Sequence, residues 1–218
     1  MHFLDSWSQL SPLEFARWML PAVLLGINVF VPGRPIARVT AVGVALALLM
    51  PHGIGLSGAL RFAWVMLWLV VAWAVGSGKP AATQQRIARP GGIESGAVGL
   101  LLGLALLTLL VVAVARQDLA PPDGRRASFG LLLVCLGLLH LMLRRDSMRA
   151  AVAFGTLGLG LQVLELAARQ ALQPLPAGPQ GAVLLATLLA VSLSSRLARI
   201  RQRYARSTWV SEAHDLHD

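Results

Sequence analysis

The stretch His140–Phe154, HLMLRRDSMRAAVAF, reads as the end of one apolar run, a short charged gap, and the start of another. Arg144, Arg145, Asp146 and Arg149 fall in that gap, with apolar residues resuming at Ala150. A chain that confines its charge to so short an interruption is turning back on itself at the edge of an apolar medium. Whether that medium is a protein core or a lipid bilayer follows from the runs on either side.

Those runs are long. Val39–Leu60, Phe62–Gly78, Gly96–Ala115 and Ala127–Leu143 contain no Asp, Glu, Lys or Arg. Runs of about 17–25 apolar residues suffice for a helix to cross a bilayer. The 218 residues are 56% hydrophobic and 13% charged, about half the charge of an ordinary soluble domain. The pattern predicts an all-α polytopic integral membrane protein. Seven spans are expected, at about 17–32, 36–53, 58–77, 96–115, 127–143, 149–171 and 180–197.

The connections carry turn and breaker signals. GSGKPAATQQRIARPGGIES (76–95) is the longest polar gap. RQDLAPPDGRRAS (116–128) follows, with Pro121, Pro122 and Gly124 expected to break helix. The spans divide into an N-terminal four-helix part (1–115), a three-helix part with a basic end (127–206) and a polar tail (207–218). The first fifteen residues hold Asp5 and Glu14 and no Lys or Arg, the wrong charge for the start of a cleavable signal peptide.

A formal charge of +9 in such a chain is a question of which loops hold the arginines, and it does not point to nucleic acid. If the connections after spans 1, 3 and 5 share a side with the C-terminus, that side holds thirteen of the nineteen Lys and Arg residues. Cytoplasmic loops are enriched in these residues, so the N-terminus is expected outside and the C-terminus inside. Arg144, Arg145 and Arg149 then form a cytoplasmic elbow between spans 5 and 6. Arg196, Arg199, Arg203 and Arg206 recur at helical spacing along one face. They are expected to contact anionic lipid or an acidic partner.

Ionisable and polar residues inside spans are the candidates for function, because lipid makes them costly. His140 lies on span 5, about one turn from the cytoplasmic end, and Thr156 lies on span 6. Gln162, Glu165 and Arg169 share a face of span 6. Glu165 is either one half of an ordinary i,i+4 ion pair with Arg169 or a protonatable group in a proton path. His140 either bonds a neighbouring carbonyl or relays protons, since histidine titrates near neutral pH. Cys135 is alone and reads as a small packing residue. His214 and His217, in the tail, do not make a metal set. No Walker loop, dinucleotide fingerprint, HExxH or GxSxG occurs, so no catalytic residues and no cofactor are expected.

Small residues four apart, in GLLLG (99–103), Ala151 with Gly155 and Thr156 with Gly160, predict close helix packing.

From Ala127 onward the chain resembles the three-helix subunit K of complex I and its relatives in sodium/proton antiporter complexes. The resemblance rests on FGLLLVCLGLLHLML, RRDSMRAAVAFG and the basic end RIRQRY, with GLLHLMLRRD the closest piece. With four further spans in front, the chain looks most like component E of hydrogenase 4 and formate hydrogenlyase complexes. The resemblance implies an accessory subunit, without catalysis of its own, of a redox-driven ion-translocating complex in the bacterial cytoplasmic membrane. Antiporter-like subunits and a peripheral redox module would be its partners. The family's two membrane glutamates fall near Gly155 or Thr156 and near Ala186 or Thr187. Both carboxylates are absent here, and Glu165, about ten residues beyond the first position, does not replace it, so the resemblance implies a scaffold that keeps the fold and has lost the relay. A small self-sufficient transporter and a membrane anchor for a soluble enzyme are the alternative readings.

Overall fold

A computed structural model describes residues 7–31, 33–50, 54–76, 119–143, 147–171 and 181–204, with six further positions between 101 and 112. The described regular structure is helical throughout. It comprises α1 (Pro12–Phe30), α2 (Arg34–Leu49), α3 (Gly58–Gly76), α4 (Pro121–Leu143), α5 (Ser147–Ala171) and α6 (Ala182–Tyr204). Four of these, α3 to α6, are long and apolar enough to cross a membrane. At 16 residues α2 reaches about 24 Å, short of a hydrocarbon core of about 30 Å. Of the predicted fourth span, 96–115, the described positions are Leu101, Leu104, Ala105, Thr108, Leu109 and Val112, all helical and exposed. The rest of that span, GLLLG included except Leu101, lies outside the described residues.

The sequence boundaries shift by up to seven residues, with α6 running on to Tyr204, and two of the shifts have a local reason. First, α1 starts five residues early because Ser11 and Glu14 form a capping box. The Ser11 hydroxyl accepts from Glu14 N at 3.3 Å, and Ser11 N donates to Glu14 Oε2 at 3.0 Å. These bonds, from the backbone first and the hydroxyl second, hold the Glu14 carboxyl below its usual range. Second, Pro121 and Pro122 do not break the helix but begin α4. Proline suits a first turn, where its missing N–H has no intrahelical acceptor anyway.

The closest packing joins α4 to α5. A Cβ on Gly130 would stand 2.9 Å from Gly160 O, and one on Gly160 would stand 2.8 Å from Gly130 O and from Val134 N. A Cβ on Gly137 would reach 2.9 Å from Leu157 N. In lipid, where burying apolar surface gives no advantage between helices, such backbone approach supplies the dispersion contacts that hold them together. Gly155 instead receives the fully buried Trp68 ring of α3, and Gly158 receives Thr187 of α6. Helix α6 buries a narrow stripe, Thr187, Val191, Ser195 and Ala198, and turns its leucines outward.

One hydrophobic core runs from Trp18 and Leu25 through Trp64 and Trp68 to Phe129, Val152 and Val191. It crosses the boundary between the two parts expected from the sequence. The ends of the bundle are built differently. At one end Trp7 Nε1 donates to Ser128 Oγ at 3.2 Å, and Trp18 meets Phe129 edge to face at 5.4 Å. At the other end lie the α1–α2 turn, the end of α3, the start of α5 and the end of α6. There Arg38 crosses Gly76, and the Arg199 guanidinium stands 5.7 Å from the Trp73 ring. These are the segments that the arginine count puts on one side.

Replacing Gly160 by Val should lower unfolding free energy by about 2–3 kcal/mol, the upper part of the range for overpacking, because backbone atoms cannot yield. Gly26→Ala, where nothing lies within 4 Å of the added carbon, should leave it nearly unchanged. Thermal unfolding in mild detergent followed by circular dichroism reads both, and equal melting of the two variants contradicts the packing.

Candidate functional site

A polar side chain in an apolar bundle must find its hydrogen bonds within the protein, so its partners reveal what it does. Thr40 and Ser195 bond to backbone oxygens of their own helices, and Asp123 accepts from Arg126 at 2.9 Å; among the described residues the other buried polar groups fall into three places.

The first is on α5. Gln162 is fully buried, and its Nε2 donates to Glu165 Oε2 at 2.8 Å. Three residues of helix put both side chains on one face, so the amide holds the partly exposed carboxylate in place. Gln162 Oε1 is buried and accepts no hydrogen bond among the described residues. The pairing of Glu165 with Arg169 expected from the sequence involves a side chain outside the described residues.

The second lies toward the other end of the bundle. His140 of α4 and Thr156 of α5 are both buried. The Thr156 hydroxyl donates to Val152 O at 2.8 Å, a bond to its own helix that leaves no polar demand on its neighbours. Thr187 of α6 does the same with Val183 O at 2.6 Å.

The register between α4 and α5 keeps these places apart. The helices run antiparallel, with Gly130 against Gly160 and Leu164, and Gly137 against Leu157. His140 lies about one turn past Gly137, away from Glu165. The eight residues from Leu157 to Glu165 alone span about 12 Å, too far for direct contact. Leu159, buried at 1% exposure, lies between the levels of Thr156 and Gln162. Of the four expected residues, Gln162 and Glu165 are bonded to each other, while His140 and Thr156 are buried on the other side of an apolar layer.

The third place was hidden in the elbow. Arg149 is the third residue of α5, within its first turn, and is 4% exposed. The sequence puts it in a solvent-edge loop, but the structure turns it inward to the end of α1. Its Nη2 lies 3.1 Å from Asn28 Oδ1, 3.4 Å from Asn28 O, 3.0 Å from Val31 O and 3.4 Å from Gly33 O. The C-terminal end of a helix leaves carbonyls without intrahelical donors, and a cation there also meets the negative end of the helix dipole. The guanidinium thus closes the C-terminal end of α1 from a position 121 residues away in the chain. Gly33, at φ 154°, adopts a backbone conformation that side-chain-bearing residues rarely take, and this carries the chain into α2. Nothing local in the sequence marks Arg149 for this role.

Of the remaining basic residues, Arg196 is exposed, and Arg199, also exposed, donates from Nε to Ser195 O at 3.3 Å while lying near Trp73. Arg144, Arg145 and Arg206, and the Arg203 side chain, lie outside the described residues. No protein-family model, curated protein or solved structure matches the chain.

Arg149→Met should lower unfolding free energy by about 1–3 kcal/mol, because it strands buried carbonyls as well as removing a charged donor. Arg149→Lys should retain part of that, since an ammonium supplies charge and donors on a shorter stem. Asn28→Ala combined with Arg149→Met in a double-mutant cycle should show coupling, and strict additivity would count against the contact.

Proposed function

We propose that this chain is a non-catalytic, seven-span membrane subunit of a complex-I-related, redox-driven ion-translocating complex of the hydrogenase or formate hydrogenlyase type. Its N-terminus faces outward and its C-terminus the cytoplasm of a bacterial cell, in the cytoplasmic membrane. Its work is to pack against larger antiporter-like subunits, with a peripheral redox module on the cytoplasmic side.

The observation that carries this reading is the contrast between α5 and α6. The spanning part of α5 is 67% buried and that of α6 only 22%, although both are apolar. Leu185, Leu189, Leu193 and Leu197 face outward at 57–62% exposure. A helix held by a narrow small-residue stripe, with its bulky side chains presented to the surroundings, suits a subunit that docks along one side of a larger one. The resemblance of RRDSMRAAVAFG and its flanks to subunit K supports the same role.

Thr156 and Gln162 lie within about one turn of the middle of α5, but Thr156 is bonded to its own helix and Gln162 to Glu165, which gives little support to a self-sufficient transporter with a ligand site at the midplane. These residues favour a subunit that offers groups to a path completed by its neighbours. Glu165, steadied by Gln162, serves in one half of the bundle, and His140 serves in the other, with Thr156 nearer the middle.

A tagged copy purified in mild detergent from its native host should bring down large antiporter-like and hydrogenase-like or quinone-reductase-like subunits in stoichiometric amounts, identified by mass spectrometry. Purification alone would overturn the reading. In the assembled complex, Glu165→Gln should slow proton pumping without loss of assembly. Unchanged pumping would take Glu165 out of the path and leave the packing role standing.

A further inference from the structure

A groove of about 710 Å³ opens on the outer surface between α2 and the end of α3. Its walls include Val39, Val42, Leu46 and Val75, and Arg34 and Arg38 stand at one end. We propose that it binds one anionic glycerophospholipid, with the phosphate on Arg34 and Arg38 and an acyl chain along the apolar wall.

Three observations fit this occupant. The arginines lie four residues apart on α2, so both guanidinium groups are on one face at the same mouth. Guanidinium groups match phosphate oxygens in shape as well as charge. Among the described residues no carboxylate lines the groove, and two guanidinium groups at its mouth favour a lipid of net negative charge. From Arg34 to Leu46 the helix rises about 18 Å, close to the depth of one bilayer leaflet, about 15 Å. A chain lying along that wall thus has its head at the arginines and its tail at the midplane. Val39 and Leu46 are 70% and 56% exposed, so the wall itself calls for an apolar cover.

The position of Arg38 is built into the backbone. Its side chain lies against Gly76, where a Cβ would stand 3.0 Å from Cδ and 3.1 Å from Nε. A side chain at residue 76 would push the guanidinium off the mouth. The groove is also distinct from the basic end of α6, where Arg199 lies near Trp73. The inference rests on membrane placement alone, and failure to isolate a larger complex leaves it standing.

The test uses the full chain in an uncharged detergent, titrated with phosphatidylglycerol or phosphatidylcholine, with bound lipid counted by native mass spectrometry. Phosphatidylglycerol should bind at one saturable site and phosphatidylcholine much more weakly. Arg34→Gln with Arg38→Gln should weaken phosphatidylglycerol binding about thirty-fold. Val42→Trp, which fills the groove and leaves charge unchanged, should also abolish the saturable site. Arg196→Gln with Arg199→Gln should leave it intact. Equal binding of the two lipids, or an equal loss with the α6 variant, would reduce the effect to general surface attraction and overturn the proposal. Leu46→p-benzoylphenylalanine, at an exposed position of the wall where the larger side chain leaves the Val42 side open, adds a direct readout. Photo-crosslinking to lipid supports the proposal, whereas crosslinking to 96–115 of the same chain, or to a second copy, would assign the groove another occupant and overturn it.

Discussion

A guanidinium seated on the carbonyl end of another helix is the constraint around which the bundle is arranged. Arg149 carries its charge in the first turn of α5, where the positive end of that helix's own dipole disfavours it, and it remains there because the end of α1 and the turn into α2 present oxygens from Asn28, Val31 and Gly33. The exchange fixes two things together. It closes the end of α1 at the turn into α2, and it brings the start of α5 to that turn. From there α5 runs down the middle of the bundle, with α4 on one side, Trp68 of α3 on another and Thr187 of α6 on a third. A buried cation with a single acceptor would be a liability, whereas one facing four oxygens supplies what the helix end lacks.

Glycine makes that central position usable. Between α4 and α5 the approach is close enough that a Cβ at Gly130, Gly137 or Gly160 would meet backbone atoms. Contact of this kind substitutes for the hydrophobic effect, which contributes little between two helices that would otherwise be solvated by lipid tails. Tight packing also explains the insulation of the polar sites. With Leu159 and Val163 filling the layer between them, His140 and Glu165 occupy separate places, and the threonines bond back to their own helices. The interior is therefore mostly a packing surface with two polar outcrops.

How much of this was legible depended on the range of the physics involved. Apolar run length is a local property, and it marked α3 and α5 to within two residues, while α6 continues seven residues past its apolar run into the basic stretch. The capping box at Ser11 and Glu14 was equally local, a signal present in SPLE that extends α1 beyond its apolar run. Pro121 and Pro122 carry an ambiguous signal, since proline ends one helix and begins another with equal ease. The site was legible only in part. That Gln162 and Glu165 share a face follows from helical period. That His140 lies far from both follows from the antiparallel register of α4 and α5, which glycine contacts set and no spacing reveals. Arg149 was the least legible, because its partner lies 121 residues away and offers backbone oxygens, which every residue possesses.

Arg149 also shows why counting arginines groups the loops well even when an individual arginine does something other than face water. Both a snorkelling arginine and one that caps helix carbonyls must sit at the end of a span, since that is where polar headgroups and unbonded carbonyls are found. Arg38 against Gly76, Arg149 on α1 and Arg199 near Trp73 make three different contacts, yet all lie at one end of the bundle. The count thus reports the level of a residue along the bilayer normal, and the structure assigns its work. At the same end, α2 offers Arg34 and Arg38 above an exposed valine and leucine wall, while Arg149 is spent inside on α1. Arginines a few residues from the same turn are thus divided between holding the helices together and facing what surrounds them.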